Sequence, residues 1–485
     1  MTPVLLAALL ATAPDTVVVG TRADPASLDP HRATDLVSAA VIASVCEPLV
    51  RLRADGSRHE AALATTWATV DNRQWTFTLR PGVRFHDGTA LDAEAVVDNL
   101  EDLRRERGFA VQAERLGPLV VGLTLDRPNA ALLATLSQSF FAIQSPRQLR
   151  ARDTAPLAGT GPFRLSEARP GQIVLEANPG YWGGVPRPAR VVFRRYADDD
   201  ALRLALSRGE VDVTSALGHT QTDRLRGEAE VVVRAQTGLN LAFLSLNNER
   251  GPLGDRRVRQ AIARAIDRSA LVGRLLGGHG EPARNPLPPS LWGYATRSRE
   301  LVADPVLARR LLREAGHPEG FAVSFLVTEV PRPYNPAPLA LATQVAEDLA
   351  RVGVRSSFVR AATWSEFVDR GRRGDYDLAV MGWQADTTDP NDFLSALLAS
   401  DSIGATNRSR YRSVEMDGLL KQGRREGDQR ARLAAYAAAQ ALFQRDMPWV
   451  PLYHVAVLTA YRKGLRGLVI DPTGTLRLDR VWKVA

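Results

Sequence analysis

Residues 321–383 carry a regular rhythm: strand-like runs at 321–330, 354–360 and 376–383 are separated by amphipathic stretches at 337–351 and 364–373. In order, that is strand, helix, strand, helix, strand. Strands alternating with helices in this way pair in parallel, with right-handed crossovers. In open parallel sheets, ligands sit outside the carboxyl ends of the strands. This one pattern therefore fixes both an α/β domain and the edge on which to look for its chemistry.

Two loops occupy that edge. The first is "PRPYNP" at 331–336, the second "GWQADTTDP" at 382–390. Proline fixes its own φ and restricts the residue before it, so Arg332 and Tyr334 are held on a stiff, extended loop. Asn335 and Pro336 read as N-cap and first position of helix 337–351, which would add helix-terminal N–H groups to an anion site. Strands one or two spacings apart put the loops about 5–10 Å from each other, and the charged ends of an extended dipeptide are roughly 6 Å apart. Arg332 suits a carboxylate because its planar fork can bind both oxygens. Asp386 can accept from an α-ammonium, and Tyr334 and Trp383 offer flat walls to a ligand side chain. The plainer alternative stays open: a solvated arginine on a turn, Asp386 capping a second turn, and Asp389 preceding its proline for backbone reasons.

Composition removes several classes of function. Of 62 lysines and arginines only Lys421, Lys463 and Lys483 are lysine, and the arginines are spread along the chain among the acids. A nucleic-acid binder would gather them on one face with aromatics between, so the net charge of +8 does not imply a nucleic-acid partner. Cys46 is the single cysteine, which excludes an intramolecular disulfide and a cysteine metal cluster. The seven histidines (31, 59, 86, 219, 279, 317 and 454) form no i,i+3 or i,i+4 pair, against a helical zinc site. Most are expected at the surface or at caps. No G-x-S-x-G, H-E-x-x-H or P-loop motif is present, so no catalytic residue, metal ligand or cofactor is assigned.

The remaining chain divides by character. Residues 1–14 contain "PVLLAALLATA", read as the apolar core and small-residue end of an export signal without its usual basic start. It is too short to span a bilayer, and Cys46 lies too far along to carry a lipid anchor. In "RQWTFTLRPGVRFHDGTALDAEAVVDNLEDL", Trp75, Phe77 and Leu79 alternate with polar residues as a half-buried strand. Asp92 then caps a helix whose apolar face is Val96, Leu100 and Leu103. "GLNLAFLSLNN" near 240 is a strand, and one helix is expected from Asp255 to Gly277-Gly278. Asp304, Pro305 and Gly316 read as N-cap, first position and stop of another helix. The segment from 448 returns to strands and hairpins. The division expected is 15–243 plus 455–485 as a first lobe, with an extra α+β subdomain at about 45–160, and 244–454 as the second α/β lobe.

Several stretches resemble the extracellular solute-binding proteins of family 5, the binding components of peptide and nickel ABC importers. They are "LDP" (28–30), "EPLV" (47–50), "WTFTLRPGVRFHDG" (75–88), "GTGPF" (159–163), "NPGYWG" (178–183), "GLNLAFLSLN" (238–247) and "VRQAIARAIDR" (258–268). "PLPPSLWGY" (286–294), "RPYNP" (332–336) and "GWQADTTDPNDF" (382–393) are most similar to the dipeptide-binding branch. The resemblance implies a two-lobed periplasmic-binding-protein fold, type II and cluster C-like, with a cleft between lobes. It also implies a soluble, exported, monomeric protein that hands short peptides to the transmembrane subunits of an ABC permease. On that reading Arg332 grips the ligand carboxylate, Asp386 grips the α-ammonium, and Tyr334 and Trp383 line the pocket. The disulfide cysteines of some members are absent. Relatives of the family also handle haem, nickel chelates, glutathione and opines, which stand as alternative ligands; a peptide-processing enzyme is the remote alternative.

Overall fold

A computed structural model describes residues 15–56, 58–151, 156–385 and 387–484. The expected export segment, residues 1–14, lies outside the described residues. The chain forms two compact units: residues up to Gln236 together with Val457 onward, and Thr237–Ala456 between them.

In the first unit the elements run β1 (Thr16–Thr21), β2 (Ala64–Thr69), β3 (Gln74–Leu79), α1 (Ala93–Arg107), β4 (Val111–Gly117), β5 (Val120–Leu125), β6 (Phe163–Arg169), β7 (Gln172–Ala177), β8 (Arg190–Arg195) and β9 (Val213–Thr214). β1 pairs in parallel with β8 and with β9, and β8, β7 and β6 continue as an antiparallel meander. A second sheet, in the order β2-β3-β5-β4, is antiparallel throughout. Its core follows from period-two alternation: Trp75, Phe77 and Leu79 are buried while Gln74, Thr76 and Thr78 are exposed. Against them lie Val96, Leu100 and Leu103 of α1, each adding about 2 kcal/mol of burial. The Asp92 carboxylate accepts from Ala95 N at 2.9 Å, and Gly108, at φ 65°, ends the helix in the left-handed region.

Glu47 ties distant loops of this unit together. Its buried carboxylate accepts from Thr160 Oγ1 (2.9 Å), Tyr181 Oη (2.8 Å) and Trp182 Nε1 (2.8 Å). Burial pushes the carboxyl up, and the three donors pull it back in part. Gly159 has no room for a side chain, because a Cβ there would overlap the Val45 carbonyl and Cys46.

The second unit is built on β10 (Asn240–Leu246), α2 (Arg256–Ala265), α3 (Arg268–Leu276), α4 (Pro305–Glu314), β11 (Phe321–Val327), α5 (Pro338–Ala350), β12 (Val354–Arg360), α6 (Trp364–Arg373), β13 (Leu378–Gln384), α7 (Pro390–Leu398) and the opening part of β14 (Trp449–Arg462). β11 pairs in parallel with both β12 and β13, in the order β12-β11-β13, as the alternation requires. β13 then pairs antiparallel with β10, and β10 with β14. The core of this unit runs from Leu239 to Val455. Its two ends meet, Gly238 N donating to Val455 O at 3.2 Å.

Three local expectations change. The helix expected from Asp255 to Gly277 is two helices, broken at Ile266 with an extended backbone. Asp267 caps the second, accepting from Ala270 N at 3.0 Å. The Arg268 guanidinium reaches the carbonyls of Ala263, Ile266, Leu301 and Pro451, so carbonyls at the end of α2 find donors without a glycine stop. Asn335 and Pro336 do not start a helix: α5 begins at Pro338, with Ala337 at the cap position and no side-chain cap. Three of the seven histidines, His31, His279 and His454, are buried instead of lying at the surface or at caps. His31 Nδ1 lies 2.8 Å from Asp102 and His454 Nδ1 lies 2.6 Å from Asn240 O. Asp304, Pro305 and Gly316 do delimit α4, the Asp304 carboxylate accepting from Leu307 N.

Candidate functional site

The carboxyl ends of β11, β12 and β13 present three side chains of interest: Arg332 follows β11, Trp364 follows β12, and Trp383 lies near the end of β13. Parallel pairing puts the first two on neighbouring strand ends, with Val327 opposite Arg360.

The PRPYNP loop is closed on itself. Arg332 N donates to Asn335 O at 2.9 Å and Asn335 N to Arg332 O at 2.8 Å, leaving Pro333 and Tyr334 at the corner. Asn335, buried at 3% exposure, anchors the loop from below, its Oδ1 accepting from Tyr453 Oη at 3.4 Å. Arg332 itself is exposed. Its guanidinium carbon sits 4.5 Å from the centre of the Trp364 ring, and its charge acts on the Tyr334 hydroxyl. Trp364 in turn stacks on buried Phe367, 5.4 Å between ring centres and 21° between planes. No described carboxylate forms an ion pair with Arg332. Glu329, the acid nearest it in sequence, is taken by Arg360 at 2.8 Å.

Tyr334 is half-buried, and burial pushes its hydroxyl up while the Arg332 and Arg408 cations act in the other direction. Its ring lies against β13 at Gly382, where an added Cβ would overlap the ring. Only glycine allows that approach. Trp383, next along, is half-buried opposite Leu241 of β10. Its indole N–H donates to Asp392 Oδ1 at 3.2 Å, which fixes the ring.

Asp386 lies outside the described residues. The residues around it are firmly held. Thr387 donates to Asp392 through both its backbone N (3.1 Å) and its hydroxyl (3.2 Å). Asp389 caps α7 through Asn391 N at 2.9 Å, the backbone role expected of it. It also forms a buried ion pair with Arg432, Nη2 lying 2.8 Å from each carboxylate oxygen. The Arg432 guanidinium is covered by Trp292 (4.9 Å) and Tyr436 (5.5 Å).

The structure therefore places Arg332 and Tyr334 on one closed turn and sets Trp383 on the strand that Tyr334 covers. Trp364, Asp392 and Arg432 were missed in the sequence. Trp364 had a usable signal, since it follows the second parallel strand and so falls on the same sheet edge. Asp392 and Arg432 had none, because their partners are set by tertiary packing. Among the described residues no group of three or more His, Cys, Asp or Glu side chains could hold a metal ion.

The family model described as "Bacterial extracellular solute-binding proteins, family 5 Middle" matches residues 59–405. The probable D,D-dipeptide-binding periplasmic protein DdpA of Escherichia coli K12 is 32% identical, over 97% of this chain and 96% of its own length. Heme-binding protein A of Haemophilus influenzae is 29% identical, over 88% and 84% respectively. The structure of HbpA2 from Haemophilus parasuis superposes with a TM-score of 0.92 at 26% identity, covering 97% of this chain and all of that one. The fold is that of the two-lobed type II periplasmic binding proteins.

Proposed function

Because the chain belongs to family 5 of the bacterial extracellular solute-binding proteins, we propose that it is the ligand-capturing component of an ABC importer. It binds dipeptides or very short peptides and passes them, chemically unchanged, to the membrane permease. The observation that carries this reading is Arg332: an exposed guanidinium with no ion-pair partner among the described residues, held on a closed turn over an aromatic ring. A cation fixed in this way before the ligand arrives pays little ordering cost on binding a carboxylate. Asp386 is assigned to the α-ammonium, and Tyr334 and Trp383 to the ligand's flanks. Pairing both ends of a zwitterion sets ligand length, since a desolvated lone charge is costly. The dipeptide-binding name of the E. coli relative favours the same ligand class.

The protein is further proposed to act outside the cytoplasm as a monomer, with residues 1–14 serving export. No helix of the described residues is long and apolar enough to cross a membrane.

Calorimetric titration of dipeptides tests the anchor. Arg332→Ala is expected to lose roughly 2–5 kcal/mol of affinity, and amidating the ligand's C-terminus should cost wild type far more than the variant. Undiminished binding by Arg332→Ala would mean that the carboxylate is held elsewhere. A second reading, haem capture, is favoured by the haem-binding relative. Native mass spectrometry of freshly purified protein separates the two: a spread of dipeptide masses supports the first, a single haem adduct the second.

A further inference from the structure

We propose that Trp364 is a positioning residue for ligand binding, its ring holding the Arg332 guanidinium in the orientation that receives the ligand carboxylate. This rests on the reading of Arg332 as the carboxylate anchor. Four observations carry it. Arg332 projects from a turn whose backbone is closed at both ends, so the loop fixes where the side chain starts but not where its head group points. The head group has no ion pair to a described carboxylate to hold it. Its guanidinium carbon lies over the Trp364 ring, 4.5 Å from the ring centre. Trp364 cannot swing away freely, because it stacks on Phe367, which is 1% exposed.

The geometry is a ladder from core to ligand: Phe367 fixes Trp364, and Trp364 fixes Arg332. A cation over an indole face is attracted by the ring quadrupole, most strongly for tryptophan among the aromatic side chains. A ring stacked on a guanidinium face leaves the edge N–H groups for a carboxylate, which binds in the guanidinium plane. An acidic neighbour would hold Arg332 as firmly, but would compete with the ligand for the same edges.

A double-mutant cycle tests this, with alanyl-alanine and methionyl-leucine as probes, each as free acid and as C-terminal amide. Affinity is read by calorimetry and folding by thermal melting. Trp364→Leu is expected to weaken binding of the free acids about tenfold, or about 1.4 kcal/mol. In an Arg332→Met background the same change should have no further effect. Trp364→Phe, which keeps an aromatic face, should recover most of the loss, and a Trp364→Met cycle, with the same expected loss, replaces the first if the leucine variant fails to fold. Equal losses in both backgrounds would overturn the inference, since Trp364 would then act without Arg332. A loss from Arg332→Met with none from Trp364→Leu would overturn it while leaving the anchor intact. Unchanged binding by Arg332→Met, or no binding of either free acid by wild type, would remove the anchor reading and the inference with it.

Discussion

A single hydrogen at Gly382 decides where Tyr334 can lie. The tyrosine ring packs against the β13 backbone where any Cβ would stand, and in that seat its hydroxyl feels the Arg332 charge. Gly382→Ala should therefore act on binding through displacement of the ring. The expected stability loss is about 1–3 kcal/mol, as for other overpacked sites. Free-acid dipeptides should bind at least tenfold more weakly, read by urea denaturation beside calorimetry. Full affinity despite lost stability would remove Tyr334 from the site. At this scale the sequence was only partly readable. The proline–arginine–proline spacing exposes the stiffness of the turn, but nothing in "MGW" announces that its glycine is a seat for the ring of Tyr334, 48 residues earlier. The same limit hid the role of Glu47. The stretches "EPLV", "GTGPF" and "NPGYWG" mark the family, yet three of their residues, Thr160, Tyr181 and Trp182, converge on the Glu47 carboxylate as an internal brace.

Elements were read best where period and cap agree. Strands β11, β12 and β13 and the helices between them lie close to their expected positions, because alternating elements of that length have few other arrangements. The failures are at ends that side chains finish. The 255–276 region carries unbroken helical periodicity, but Asp267 supplies a cap and Arg268 supplies donors to four carbonyls, so two helices replace one. Strand β14 shows a related case. His454 is 1% exposed, and burial pushes its imidazole down to about 4, with the bond to the Asn240 carbonyl opposing. The folded protein thus keeps this ring neutral where an unfolded chain, near 6.5, takes a proton. Its contribution is complete above about pH 6.5 and is lost as pH falls towards 4, by about 3 kcal/mol in all. Urea midpoints measured from pH 7.5 to 4.5 should fall along that course, and His454→Asn should make the fall shallower, His86, also pushed down to about 4 by burial, keeping part of it. An unchanged slope in the variant would assign the pH dependence to other groups.

For the molecule as a whole, the change of character near residue 240 and again near 450 was visible, since a mixed, hairpin-rich sequence gives way to an alternating one and then returns. What the sequence did not expose is how self-contained the intervening piece is. Its core draws on residues 239–455 alone. Arg332, Tyr334, Trp364 and Trp383, together with Asp392 and Arg432 that steady the second loop, all belong to Thr237–Ala456.

The chain enters that unit once and leaves it once, and Gly238 and Val455 are hydrogen-bonded to each other at the doorway. Such a piece behaves as a cassette. Recombination at two junctions would move every anchor described here as a block, together with the hydrogen bond that holds its two ends side by side. Grafting 237–456 into a relative of different ligand preference should carry the Arg332-dependent carboxylate requirement with it, and a folded chimera that keeps the host's preference would show that selectivity is written elsewhere. New ligand preferences could then arise in this family by exchange of one continuous gene segment, without point-by-point remodelling of the pocket.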